Sequence, residues 1–297
     1  MPALHSDRLS NWLSRLPDFR GKARLANALG RVAGRAEHGW GICSPAAGAL
    51  LKVDLRDRIQ RLMWAGCYEP QVRRCLQALL RPGEVFLDVG AHIGYHSLTA
   101  ASLVGPGGKV FSFEADPFMF FRLTENIQPF PWITALHAAV WEKTESLVFE
   151  RSSQSGESGW GTLTAVRDLG CGEHVSVDGL SLDEWWERDG HQPVRLIKLD
   201  AEGSEPAILQ GAKNILRGPR PLLILELNEV VLRQAQSSPA ELATELSAQR
   251  YELFGLQWPE LERIELKNLP RSSEVLAIPA ELLEDALRDL QHAGFKA

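Results

Sequence analysis

The chain is poor in several features that would place it in a class at once. It has four cysteines in 297 residues, Cys43, Cys67, Cys75 and Cys171. No two stand in C-x-x-C spacing and no His-x-x-x-His pair accompanies them. Neither a zinc site nor a disulfide framework is expected, and a reducing compartment fits best. No apolar run approaches the ~20 residues that a membrane span needs. The opening MPALHSDRLSNWLSRLPDF lacks the cationic stretch and apolar core of a signal peptide, so the expectation is a soluble, cytoplasmic protein. Positive charge is not in excess either: 32 Lys and Arg against 38 Asp and Glu leave −6. Bulk charge therefore disfavours a polyanionic partner such as nucleic acid, which leaves local basic patches open. Internal repeats and low-complexity segments are absent. What is present is an ordinary globular composition, 44% hydrophobic and 24% charged, long enough for one large or two small domains.

Residues 1 to about 49 are the least informative. Leu9, Trp12, Leu13 and Leu16 share a helical face before Pro17, and Leu25, Leu29 and Val32 suggest a second short helix. Gly39-Trp-Gly41 then breaks the pattern. A packing or lid segment is the preferred reading; a membrane-surface helix is weaker, because its basic residues are few and mixed with acids. From 84 onward short apolar strands alternate with helices. Strands are expected at 84–89, 109–114, 133–140, 146–150, 194–200 and 221–227, helices at 93–104, 117–127, 204–217 and 239–250, and two or three antiparallel strands between Tyr251 and Ile278. That alternation means a doubly wound, mostly parallel α/β sheet covered on both faces. Ligands bind such sheets beyond the carboxyl ends of the strands.

Four segments place chemistry there. In EVFLDVGAHIGYHSLTA, 84–100, a strand ends at Asp88, and Gly90 and Gly94 allow a tight turn with close backbone approach to a ligand. The acid before the turn and the missing third glycine disfavour a pyrophosphate and suit a cationic ligand. Glu114 ends the next strand, twenty residues after Gly94, where a carboxylate accepts both ribose hydroxyls of a nucleoside. In LIKLDAEGSEPAILQGA, 196–212, Lys198, Asp200, Glu202 and Glu205 crowd a strand end and a helix start. Asp200 and Glu202 suit the task of orienting or deprotonating a hydroxyl; Glu205 also fits a purely structural place at a helix N-terminus. Finally, Glu226, Asn228 and Glu229 leave the strand LLILELNE. Asp200, Glu226 and Asn228 could form an oxygen-only Mg²⁺ site, although solvated loop acids are the preferred reading.

These motifs together resemble the FkbM-type, S-adenosylmethionine-dependent methyltransferases. The resemblance is carried by YEP (68–70), RPGEVFLDVGAHIGYHS (81–97), VFSFEADP (110–117), LTENI (123–127), LHAAV (136–140), IKLDAEGSEPAILQGA (197–212) and LILELNE (223–229). It covers roughly 50–278. His92 stands where that family commonly has Asn, and Ala115 where it often has Pro. The resemblance implies a class I, Rossmann-like seven-stranded sheet in 67–297, preceded by a helical cap in 1–66. It implies that Asp88, Gly90, His92 and Gly94 line the methionyl part of S-adenosylmethionine, and that Glu114 takes the ribose. Ala115, Asp116, Ala139 and Val140 would border the adenine, while Tyr68 and Glu69 close the pocket. Asp116 also reads as a helix cap and Tyr68 as a packed aromatic.

The implied reaction is O-methylation of a sugar, glycan or natural-product hydroxyl. Asp200 and Glu202 are the catalytic candidates, with His96 behind them; His96 reads equally well as a core histidine. The loop 151–161 and Trp160, Trp185 and Trp186 are candidates for an acceptor platform, core packing being the alternative for the last two. A second copy of the chain is a candidate partner. The competing readings are an NAD-dependent oxidoreductase on a related sheet and a non-catalytic, methyltransferase-like subunit. No Asn-Pro-Pro-Tyr or Asp-Pro-Pro-Tyr string of the kind used for amino-group methylation occurs.

Overall fold

In the computed structural model the described residues are 4–17, 19, 21–36, 38–151, 156, 158, 161–167, 170, 172–267 and 269–296. Trp160, Cys171 and most of the loop 151–161 lie outside them. Among the described residues the strands form three sheets. A hairpin pairs β1 (Trp40–Cys43) with β2 (Leu51–Asp54). The central sheet contains β3 (Val85–Val89), β4 (Lys109–Glu114) and β5 (Ile133–His137). A smaller sheet of β6 (Ala139–Val140), β7 (Ser146–Arg151), β8 (Thr162–Leu163) and β9 (Glu173–Leu180) follows. The chain then returns to the central sheet with β10 (Val194–Leu199), β11 (Leu222–Asn228), β12 (Tyr251–Gln257), β13 (Glu260–Arg263) and β14 (Ser272–Pro279).

The central order is β13-β12-β14-β11-β10-β3-β4-β5. The five strands from β11 to β5 run parallel, and β14, β12 and β13 add antiparallel pairings. The sheet has eight strands rather than seven, because the short β13 folds back on β12 at the edge. Winding reverses between β3 and β10. The chain proceeds outward through β4 and β5 on one side and through β10 and β11 on the other, which opens a crevice at the carboxyl ends of β3 and β10.

Both faces are covered. Six helices matter for the site: α1 (Leu4–Arg15), α2 (Lys22–Ala36), α3 (Arg58–Trp64), α4 (Pro70–Leu79), α5 (Tyr95–Val104) and α6 (Pro117–Ile127). Pro70 and Pro117 begin α4 and α6, where a missing N–H costs nothing. Asp116 caps α6 by accepting from the amides of Phe118 and Met119. The N-terminal helices share one apolar core with the sheet: Leu13, Ala26 and Trp64 belong to the same buried cluster as Phe86, Ile93 and Leu98.

Several expectations shift. The stretch 133–140 is two strands in two sheets, broken at Ala138, whose amide bonds to the Glu114 and Leu136 carbonyls. The helix expected over 204–217 splits into Glu205–Gln210 and Lys213–Arg217. At the break a Cβ on Gly211 would lie 2.3 Å from the Trp141 carbonyl oxygen, so the chain turns where a longer helix would collide. Gly39-Trp-Gly41 does not end regular structure. Trp40 opens β1 and its ring lies against Lys52 and Arg122. Among the described residues no helix is long and apolar enough to cross a membrane. Among the described residues Cys43, Cys67 and Cys75 form no disulfide.

Candidate active site

The strand ends converge on a cavity of about 300 Å³. Its floor begins where β3 gives way to the glycine turn. Gly90 has φ +75°, and a Cβ there would lie 1.9 Å from the Asp200 carbonyl oxygen. Only glycine lets the ends of β3 and β10 approach so closely. The amides of Gly90 and Ala91 both donate to the Phe113 carbonyl, and the Asp200 amide donates to the Val89 carbonyl. Gly94, at φ +94°, starts α5 and faces Leu123 of α6.

Glu114 comes off β4 into this cavity and is 8% exposed. Its Oε2 accepts from the His92 amide at 2.7 Å and its Oε1 from the Asp116 amide at 2.8 Å. Burial pushes its pKa up to about 7, against the pull of those two amides. Beside it, Met119, Ala139, Val140, Phe149 and Leu163 form an apolar wall. Asp116 is on the cavity and also serves as the α6 cap and as partner of Arg151, Oδ2 to Nε 3.0 Å. His92, at φ +51°, turns Nε2 to the Ser158 hydroxyl at 2.8 Å, and its Nδ1 has no hydrogen-bond partner among the described residues.

The opposite end is acidic. Glu69, Asp200, Glu202, Glu226 and Glu274 all reach the cavity, with Lys198 among them. Lys198 Nζ holds Asp200 Oδ2 at 2.8 Å. Burial alone would lower the lysine; Asp200, Glu69 and Asp88 outweigh it and keep the ammonium charged. Glu202 is pushed to about 8 by burial and by Asp200 and Glu226, with Arg167 at 3.6 Å pulling the other way. Burial, then the Glu69 charge, raises Glu274 to about 8. Glu69 itself falls to about 2: burial would raise it, but the His96 hydrogen bond and the Lys198 charge prevail. Glu69, His92 and Glu202 are non-glycine residues at φ +37°, +51° and +49°. Backbone strain of this kind gathers where a ligand site demands it.

Not every expected residue reaches the cavity. Asp88 is 1% exposed and lies inside the sheet, level with Ser112 and Lys198. Its Oδ2 accepts from the Ser97 hydroxyl at 2.6 Å, and Ser112 bonds Ser97 in turn. Its place is beneath the glycine turn, tying α5 to β3. His96 is also buried and off the cavity wall; its Nε2 meets Glu69 Oε2 at 2.8 Å, so it orients Glu69 instead of facing a substrate. Asn228 is not on the cavity wall; its side-chain oxygen caps the helix Glu229–Gln234 by accepting from the Val230 and Val231 amides. Among the described residues no three His, Cys, Asp or Glu side chains are arranged to hold a metal ion. Trp185 packs on Phe111 and Phe113, and Trp186 on His191; neither lines the cavity.

Residues missed in the sequence include Met119, Phe149 and Glu274, while Ser158 belongs to the loop 151–161 singled out there. Glu274 sits opposite Glu226 across the β11–β14 pair. Its one visible signal was an acid at the start of the apolar run VLAI.

The buried carboxylates make the unliganded protein sensitive to alkali. Glu114, Glu205, Glu202 and Glu274 titrate at about 7, 7, 8 and 8. The folded chain thus keeps protons that the unfolded chain releases at ordinary carboxylate values, so stability falls as pH rises to 8. Buried His92 acts oppositely, but only below about its ordinary 6.5. The melting temperature is therefore expected to drop by several degrees between about pH 6.5 and about pH 8.5. Thermal melts at the two pH values check this; a flat or rising Tm contradicts it.

Residues 88–253 match the family model described as the methyltransferase FkbM domain. The chain is 25% identical over 159 residues to the 2-O-methyltransferase NoeI of Sinorhizobium fredii, a match covering 50% of this chain and 65% of that protein, just under two thirds. It is 28% identical over 183 residues to the hexuronic acid methyltransferase AglP of Haloferax volcanii, covering 60% of this chain and 72% of that protein. The crystal structure of the FkbM methyltransferase from Methylobacillus flagellatus KT aligns over 74% of this chain and 53% of that one, with 15% identity and a TM-score of 0.41. With more than half of its residues matched by that family model, the chain belongs to the FkbM methyltransferase domain family.

Proposed function

We propose that the protein transfers the methyl group of S-adenosylmethionine to a hydroxyl of a sugar or glycan. The observation that carries the reading is the polarity of the cavity: Glu114, anchored by two backbone amides, stands between an apolar wall and an acidic end. Such a wall suits a purine, a fixed carboxylate suits a ribose diol, and an acidic end suits a cation. When bound, the cofactor supplies an electrophilic methyl group on a sulfonium.

The chain's own residues divide the remaining work. The turn at Gly90 and His92 faces the methionyl part, Glu114 accepts the ribose hydroxyls, and Ala115, Asp116, Ala139 and Val140 border the adenine. Tyr68 and Glu69 close the pocket, with His96 and Asp88 as buried positioning residues. An aliphatic hydroxyl is a weak acid, so the acceptor needs alignment and a base. Glu202, whose pKa near 8 matches that of a proton acceptor at working pH, takes the acceptor proton. Asp200, pinned by Lys198, orients the hydroxyl. The names of NoeI and AglP, a 2-O-methyltransferase and a hexuronic acid methyltransferase, support a carbohydrate acceptor. Residues 1–66 act as the cap over this unit.

Transfer of a radiolabelled methyl group to a panel of sugars tests the reading. An alkali-stable ether on a sugar hydroxyl is expected, and methylation of amino or carboxyl groups alone would overturn it. Glu114→Ala is expected to weaken cofactor binding about 100-fold or more, because two hydrogen bonds to a charged group are worth about 1.5–3 kcal/mol each. Calorimetric titration measures it; unchanged affinity would remove Glu114 from the ribose.

A further inference from the structure

The N-terminal segment builds a second cavity, about 560 Å³, and in an acidic protein it is lined by cations. Arg31 and Arg35 come from one side of α2, Arg58 and Arg61 from α3, and Arg56 and His38 from the connections. Packing forces them together. A Cβ on Gly30 would lie 2.8 Å from Arg61 Cδ, and one on Gly34 would lie 2.9 Å from Leu55 Cβ. Gly30 thus lets α3 dock directly against α2, with the Arg61 stem in the contact, and Gly34 makes room for Leu55 in the connection before α3.

Arg61 is 4% exposed; its Nε donates to Asn27 Oδ1, and its Nη1 to the Leu55 and Arg56 carbonyls. Burial disfavours its charge and the Arg31 and Arg58 cations add to that, while Asp57 and Asp54 oppose it. Among the described residues the nearby acids are already engaged. Asp54 pairs with Arg56 at 2.7 Å, and Asp57 accepts from the Gln60 and Ser158 amides. Arg31, Arg35 and Arg58 make no salt bridge to a described residue. Holding like charges together around an open cavity costs free energy that a bound anion returns. Planar guanidinium forks match phosphate oxygens in pairs.

We propose that this cavity is a binding site for a soluble diphosphate, with Arg31, Arg35, Arg58 and Arg61 gripping its oxygens. The site adjoins the candidate active site. The Arg58 amide donates to the Gly156 carbonyl, and Gly156 lines the basic cavity. Ser158, two residues on, lines the other cavity and bonds His92. A sugar carried on a diphosphate would then reach from one cavity to the other. The diphosphate site itself does not depend on the methyl-transfer reading.

Inorganic pyrophosphate titrated by calorimetry into the full chain, with no cofactor or sugar present, tests the proposal. Wild type is expected to bind with Kd at or below about 1 mM at low salt, and to weaken as salt rises. The exposed Arg31→Ser/Arg58→Ser double variant is expected to lose at least about tenfold in affinity, with an unchanged circular dichroism spectrum. Arg288→Ser, at a surface pair with Asp285 on the C-terminal helix, is expected to bind as wild type does. No binding by folded wild type, equal binding by the double variant, or binding to vesicles of anionic phospholipid without any response to pyrophosphate would each overturn it.

Discussion

Glu202→Gln is expected to lower kcat by about 10²–10⁴-fold, the usual worth of a positioned general base, with cofactor Kd changed by less than about threefold. Glu202 is held at φ +49° by the turn before Gly203, with Arg167 at 3.6 Å. Burial and the charges of Asp200 and Glu226 raise its pKa to about 8. The wild-type rate should therefore climb with pH toward a plateau above about 8, and that limb should vanish in the variant. Asp200→Asn gives the complementary test. Removing the Asp200 charge takes away a repulsion that raises Glu202, so the limb should move to lower pH while a reduced rate persists. If the limb instead disappears in Asp200→Asn and survives in Glu202→Gln, the base is Asp200.

Gly90→Ala is expected to damage both stability and binding. Alanine in the left-handed region costs about 1–2 kcal/mol, and the new Cβ would lie 1.9 Å from the Asp200 carbonyl oxygen, a backbone atom that no rotamer change can move. Overpacking adds about 1–3 kcal/mol. Relief requires the ends of β3 and β10 to part, which displaces Asp200 and the turn carrying His92. A fall in Tm on the order of 10 °C is expected, with cofactor affinity reduced about 100-fold or more. Gly83→Ala is the control: its φ is +88°, yet nothing lies within 4 Å of the added Cβ. It should cost only the conformational strain and leave binding intact. Equal behaviour of the two variants would mean that the close approach at Gly90 has no role.

What could be read from the sequence was local in the chain. A strand, an acid, two glycines and a helix announce themselves within seventeen residues, and Glu114 is placed by counting from Gly94. The parallel direction of the central strands follows from the same alternation. What could not be read depends on pairings made far apart. Asp88 is next to last in a strand that continues to Val89, and the pleat that turns it inward is decided by its neighbours Ser112 and Lys198. Glu274 acquires meaning only opposite Glu226, on the strand that comes last along the chain. The strand Glu173–Leu180 and the bend at Ala138 exist because the chain leaves one sheet for another. Arg31 and Arg58 lie far apart in sequence and line one cavity because Gly30 removes a side chain between two helices and Gly34 makes room for Leu55. Net charge of −6 gave no hint of that cavity, since a sum hides where opposite charges are sorted.

Several of the acids behind that sum instead have an address. Glu69, Asp200, Glu202, Glu226 and Glu274 surround one end of a cavity with one buried lysine among them, an arrangement suited to a cationic ligand and poorly suited to a pyrophosphate. Calorimetric titration of the unmodified chain with S-adenosylmethionine and, separately, with NAD measures this most directly. S-adenosylmethionine is expected to bind with Kd on the order of micromolar, and NAD to give no heat. Binding of NAD with no response to S-adenosylmethionine or S-adenosylhomocysteine would contradict the assignment of the cavity.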